Sequence, residues 1–447
     1  MNLTLKVCPF IHKSHHPMKP RIAAPQPPSI PTRLQLAAVL ATVAILTLAP
    51  PAPAQSFNTG SSGALGALIV ANNATNIITL PGDGILDFTD VRIGTNAHVH
   101  FVPNNHNTPV YLLATGDIVI AGTLHLEGAP ASAANGGAGG PGGFDGGSPG
   151  FGGLAPGAGL GPGGGGEGRI GAYNTTNSAG AGAYASRPDP AYGRHGSRYG
   201  SSLLLPLVGG SGGGGGMIRG SSPGGGGGGG GGALLLASPT RIALVGAASI
   251  LARGEAGHTT GAAGSGGAIR LVAPRVSVAR SSGTFRLDTS SLYGGGDGRI
   301  RIDSLLDRGE ILTAGITTGS GTVTNFVLGS FLFTGLTNTP PRFLLPRLDI
   351  TRAAGLAIPE GSASPVLVQL PFNGNPNQSV TVQASGFPTS VFTTSIPIQV
   401  AVIPESGPAQ TYAATLDHRP GNGRGTVNVP VFIPLNTACH IQAWTTQ

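Results

Sequence analysis

Short runs in which apolar and polar residues alternate recur along this chain, and a helical period is hard to find. From Ile85 to Val102 the sequence reads ILDF, DVRIG and AHVHFV, and from Val110 to Gly128 it reads VYLLATG, DIVIAG and TLHLEG. Alternation places successive side chains on opposite faces, so each run predicts a short half-buried strand, with Gly, Asp and Asn at the corners. Laying DVRI over DIVI sets Val91 against Ile118 and Ile93 against Ile120, a constant offset of 27. The unit resumes at Ala233 (ALLLASP, RIALV, SILAR), at Ala268 (AIRLVAP, VSVA, TFRLDT) and at Arg299 (RIRID, then EILTA and TVTNFVL), at spacings of 35 and 31 residues.

A strand triplet of this length cannot cover its own apolar face, and stacking such triplets lets neighbours share one core. The expected fold class is all-β, with a parallel β-helix over 55–130 and 233–337. Pro239 and Pro274 fall at the same place in their units, directly after a strand, where no ladder hydrogen bond is lost. An antiparallel sandwich of many short strands is the competing arrangement. From the Pro340–Pro341 pair onward, VLVQLP, SVTVQA, IPIQVAVIP, TYAATL and TVNVPVFIP alternate between turn clusters such as NGNPN. This predicts a separate immunoglobulin-like β-sandwich over 338–447, with the single Trp, Trp444, packed in its terminal strand.

Between these zones the composition changes. Residues 131–232 hold 42 of the 77 glycines, including an unbroken run from Gly224 to Gly232. Such a segment offers little side-chain area to bury and loses much conformational entropy on ordering, so it predicts a mobile excursion from one corner of the repeat. The competing arrangement packs runs such as Gly212–Gly216 and Gly224–Gly232 side by side as extended polyglycine helices, a close approach that only glycine permits.

The first 54 residues change the charge argument. Leu36 to Ala49 is an uncharged apolar run preceded by Lys19, Arg21 and Arg33 and followed by the small-residue site Ala52-Pro53-Ala54. This is the pattern of a signal peptide cut after Ala54, with Met18 as an alternative start, and it predicts a secreted, cell-surface or periplasmic protein with no stable membrane anchor. The segment carries all three lysines, and the remainder has twenty basic against eighteen acidic residues, a balance of +2. The sequence pI near 9.8 therefore gives no reason to expect a nucleic-acid partner. A mature chain without lysine also excludes Schiff-base and lysine-base chemistry. With Cys439 as its one cysteine, it forms no internal disulfide.

Candidate chemistry is sparse. The nucleophile-elbow pattern GxSxG occurs at Gly146–Gly150 and Gly209–Gly213, but neither match lies between a strand and a helix. His98 and His100 share one strand face, where outward-facing polar residues opposite Ala97, Val99 and Phe101 account for them without a metal. Asp87 and Asp90 are the only close carboxylates in the first repeats, a weak basis for glycoside hydrolysis. No catalytic residue, metal site or cofactor is assigned. The candidate binding residues are Arg270, Arg286, Arg299 and Arg301, which alternate with Ile269, Leu271, Phe285, Leu287, Ile300 and Ile302. They should face outward as a guanidinium stripe suited to carboxylate and sulfate groups, which makes acidic extracellular polysaccharide or another cell-surface component the expected partner, and a solvated face whose arginines keep the protein soluble is the competing reading.

With AIRLVAPRVSV, GGGDGRIRID and VYLLATGDIVIAGTLHLEG in view, the chain resembles glycine-rich secreted bacterial parallel β-helix proteins and, more loosely, filamentous haemagglutinin-type adhesins. The resemblance spans roughly Phe57 to Leu328 and implies a structural or adhesin-like surface protein with no known reaction. A polysaccharide lyase or glycosidase built on a β-helix is the alternative.

Overall fold

The computed structural model describes residues 59–151, 154–170, 176–177, 179–188, 194–217, 224–279, 285–304, 326–329, 347–358, 370, 374–387, 394–404, 410–417, 424–435 and 439–445. The leader with its cut after Ala54, the EILTA strand, the VLVQLP strand and the Pro340–Pro341 boundary lie outside these residues. Among the described residues the protein is all-β, without a helix.

Up to Gly329 the described strands of the winding lie in three parallel sheets, visited in a fixed rotation. The first sheet orders Leu68–Val70, Val91–Ile93, Ile118–Ile120, Arg241–Val245 and Arg275–Ala279. The second orders Ile85–Phe88, Val110–Ala114, Ala233–Ala237, Ala268–Val272, Arg299–Asp303 and Phe326–Gly329. The third orders Thr75–Thr79, His98–Val102, Thr123–His125, Ser249–Leu251 and Arg286–Asp288. Each round visits first, third and second sheet in turn. Val91 pairs with Ile118 and Ile93 with Ile120, the register that the offset of 27 requires. Ala233 pairs with Ala268 and Ala268 with Arg299, so the unit starts read from the sequence sit side by side.

Register turns alternation into columns. On the inner face of the second sheet Leu86, Leu112, Leu236, Leu271 and Ile302 stack strand upon strand. Val91, Ile118, Ile242 and Val276 do the same on the first sheet. Val99, Leu124, Ile250 and Leu287 complete the third wall. All belong to one buried core. Burying each such side chain stabilises by roughly 1.5–3 kcal/mol, which is what fixes register to the residue.

In its described residues the glycine zone is hydrogen-bonded into the fold and is not a mobile excursion. It departs after the third-sheet strand Thr123–His125 and returns at the next second-sheet strand, Ala233–Ala237, so the rotation continues unbroken across it. In between, extended segments bond to one another with a period of three residues. Within 224–232, the amides of Gly226, Gly229 and Gly232 donate to Ser132, Ala129 and Leu126, those of Gly224, Gly227 and Gly230 to Gly150, Gly147 and Phe144, and those of Gly228 and Gly231 to Ala262 and Ser265, at 2.7–3.1 Å. Its carbonyls accept from three further segments: Gly210, Gly213 and Gly216; Gly137 and Gly140; and Glu255 and His258. One extended strand thus has six hydrogen-bonded neighbours, the packing of three-residue-per-turn polyglycine helices. All nine residues of the central run are glycine because every direction around it is occupied by backbone. The expectation of mobility fails because it counted only side-chain burial, whereas this segment is held by its backbone amides.

Beyond residue 347 the described strands form two antiparallel sheets, one of four strands and one of three. Val380, Val382 and Val429 of the first share a core with Ile396, Ile398, Val400 and Leu416 of the second. The last strand, Cys439–Thr445, is an edge of the three-stranded sheet.

Candidate functional site

The arginines singled out by the sequence do project away from the apolar core, but two of them are buried and Arg299 is only half-exposed. Arg270 and Arg301 are direct neighbours on the outer face of the second sheet. They are only 2% and 4% exposed. Both grip Asp303, itself fully buried: Arg270 through Nε and Nη2 at 3.2 and 2.9 Å, Arg301 through Nε at 3.1 Å and an Nη2 pairing at 2.8 Å. Their remaining N–H groups, with those of Arg299, reach the chain that lies over the sheet. Arg270 donates to the Leu204 carbonyl at 3.4 Å, Arg301 to Ser202 at 3.4 Å and Arg299 to Tyr199 at 3.1 Å. Arg299 also lies 5.4 Å from the ring centroid of Tyr184, whose phenol burial pushes up to about 12. Burial lowers the Arg270 pKa, with Asp303 opposing that shift. The stripe therefore clamps segment 199–204 of its own chain. Alternation reports the face of a strand a residue occupies, not what covers that face.

Arg286 sits on a different surface, the outer side of the third sheet, where it pairs with Asp288 at 2.7 Å. There a polar ladder runs across neighbouring strands. His100 stacks on His125 with centroids 4.2 Å apart, and His98 Nδ1 lies 2.9 Å from His125 Nε2. His125 Nδ1 approaches Glu127 at 3.2 Å, and Arg253 donates to Glu127 at 3.1 Å. His98 and His100 face outward while Ala97, Val99 and Phe101 are buried, as their alternation requires. Among the described residues no group of three or more His, Cys, Asp or Glu side chains is arranged to hold a metal ion.

Desolvation and the neighbouring His125 and His98 hold the His100 pKa below its usual value, against the pull of Glu127. In the native state this imidazole therefore binds fewer protons than in the unfolded chain, so its contribution to stability is lost as pH falls through about 6.5. The melting temperature should be lower at about pH 5.5 than at about pH 7.5, and His100→Asn should shrink that difference.

The other sequence candidates have structural partners. Burial works to raise the Asp87 pKa, yet hydrogen bonds from the Ser61 and Ser62 hydroxyls and from the Gly63 and Ser62 amides outweigh it and hold the carboxylate below its usual range. Asp90 accepts from the Asp117 amide at 3.1 Å. Ser211, the central residue of one GxSxG match, is fully buried and donates to Tyr199 Oη at 3.0 Å. Cys439 begins the terminal strand and is half-buried.

A cleft that the sequence did not reveal lies between the winding, the glycine bundle and the C-terminal sheets. Its volume is about 1610 Å³, and its walls include Tyr111 of the second sheet, Phe144 of the glycine bundle, Ile350, and Gln442 and Trp444 of the terminal strand. Trp444 is 1% exposed and meets Tyr199 edge-on at 6.1 Å. Its neighbour Thr445 donates to the Leu205 carbonyl at 2.7 Å, which ties the terminal strand to the loop over the second sheet. No local signal marks this cleft, because its walls come from segments more than 300 residues apart in the chain.

No family model, curated protein or solved structure matches the chain.

Proposed function

We propose that this is an exported structural, adhesin-like protein in which a parallel β-helix carries a polyglycine flank and an immunoglobulin-like β-sandwich, and which binds cell-surface or matrix components without cleaving them. The observation that carries this reading is where the charged side chains are spent. Arg270, Arg299 and Arg301 donate to backbone carbonyls at 199–204, so that polar chemistry joins one layer of the fold to the next. Three stacked sheets and a backbone-bonded glycine bundle make a rigid body of the kind that displays a surface. The loose resemblance of the strand repeats to secreted β-helix proteins and the leader pattern in the sequence are what favour an extracellular setting. Arg270 and Arg301, buried and paired with Asp303, are not open to an acidic ligand, whereas Arg286 on the outer side of the third sheet stays a third exposed beside Asp288.

The test uses mature protein recovered from the periplasm or medium, whose N-terminus should be Gln55. Incubation with a panel of polysaccharides should give retention on at least one of them, with no reducing ends or unsaturated sugars released. Release of either product would replace this reading with that of a carbohydrate-active enzyme.

A further inference from the structure

We infer that the first round of the winding is a dimerisation edge, at which Thr75–Thr79 pairs antiparallel with the same strand of a second copy about a two-fold axis through Ile77. The inference goes beyond the binding function proposed above and does not depend on it.

Leu68–Val70 and Thr75–Thr79 are the terminal strands of the first and third sheets, each bonded to a neighbouring strand on one side only among the described residues. In a parallel ladder alternate residues of a strand bond to a given neighbour. The Leu80 amide donates to Val102 at 3.2 Å, and the Ala74 carbonyl accepts from His98 at 2.8 Å. Ala74, Asn76, Ile78 and Leu80 are therefore the set that bonds to His98–Val102. Thr75, Ile77 and Thr79 turn their N–H and C=O groups to the free edge, and the side chains of the same three residues are exposed. Ile77 is 67% exposed, and Ile69 on the neighbouring terminal strand 70%.

Charge and symmetry say what covers this edge. Free edges are ordinarily blunted by charged side chains or proline. From Thr59 to Gly82 there is no Asp, Glu, Lys, Arg or His, and the one proline, Pro81, lies beyond both strands. One strand further in, the outward positions change character, with Arg92 beside Ile69 and His100 beside Ile77. A second copy thus meets the edge without like charges on the paired strands. The strand TNIIT also matches its own reverse, since a two-fold axis through Ile77 sets Ile77 opposite Ile77 and Thr75 opposite Thr79 on the exposed face, with Asn76 opposite Ile78 on the other. The residues whose main-chain groups point at the edge are then the ones that an antiparallel pair requires to exchange both hydrogen bonds. Such a contact closes at two copies. The opposite end of the third sheet is the charged strand Arg286–Asp288, which disfavours stacking one end upon the other into a filament.

Mature full-length protein is followed by sedimentation velocity over a concentration series, and should show a monomer–dimer equilibrium in the micromolar range. Ile77→Lys sets two ammonium groups face to face and should weaken dimerisation about 100-fold, with the far-ultraviolet spectrum of the parent retained. Ile77→Cys should cross-link to itself on mild oxidation, because opposed residues of a hydrogen-bonded antiparallel pair have Cα atoms about 5.5 Å apart, within disulfide reach. His100→Cys, one strand further in, should give no such link. The inference is overturned if the protein is monomeric throughout the series or if it grows into open-ended assemblies. It is overturned equally by a dimer that Ile77→Lys leaves intact and Ile77→Cys does not link.

Discussion

Replacing Gly227 with alanine is expected to abolish cooperative folding of the mature protein, or to destabilise it by more than about 4 kcal/mol. A Cβ at Gly227 would overlap the carbonyl oxygen of Gly213, which is backbone and cannot rotate away. Relieving that overlap means parting strand 224–232 from segment 210–216, and the amides of Gly210, Gly213 and Gly216 would then lose their carbonyl partners at Gly231, Gly228 and Gly225. The cost is therefore shared by several backbone hydrogen bonds as well as by the clash. Gly82→Ala is the matched control. A Cβ there finds its nearest neighbour, a ring carbon of His106, at 3.9 Å, so the change should stay within about 0.5 kcal/mol. Urea unfolding of the two variants checks both values.

Breaking the buried charge cluster should have an effect of similar size. Asp303 is fully buried and is the carboxylate that both Arg270 and Arg301 bind. Asp303→Asn leaves two adjacent guanidiniums in a dry environment with no counter-charge, a loss of about 3–5 kcal/mol. Arg270→Ala should cost less than this, because Arg301 still neutralises the carboxylate, although it frees the Leu204 carbonyl and opens a cavity. The order of these two losses separates a clamp from a solvated face. If the arginines served an exposed ligand site, both changes would fall within about 0.5 kcal/mol of the parent. Limited proteolysis offers a second readout, since releasing segment 199–204 from Arg270, Arg299 and Arg301 should expose it to cleavage.

How much was legible in the sequence follows from what each feature depends on. The columns of Val91 with Ile118 and Ala233 with Ala268 were readable because a strand's inward residues repeat at every second position and the similar strand motifs recur outside the glycine zone at spacings of 27, 35 and 31 residues. That His98 and His100 face outward follows from the same alternation. The glycine zone has no such pattern, since its partners are backbone groups and a run of nine identical residues carries no register. Its order depends on six neighbouring segments, among them 126–132, 210–216 and 255–258, that meet only in the folded chain. The fate of Arg270 and Arg301 was hidden for a related reason, because the loop that covers them is 66 to 99 residues away in sequence. The cleft was least legible of all, joining Tyr111 to Trp444 across most of the chain.

The central claim is that the glycine-rich zone is a hydrogen-bonded wall of the fold and holds the two halves of the winding in register. Native-state amide hydrogen exchange tests it most directly. The amides of Gly226 to Gly232 should exchange as slowly as those of Leu234 to Leu236 in the adjoining sheet strand, through global unfolding alone. Exchange of Gly226 to Gly232 at the rate of an unprotected peptide, with Leu234 to Leu236 still protected, would contradict the claim.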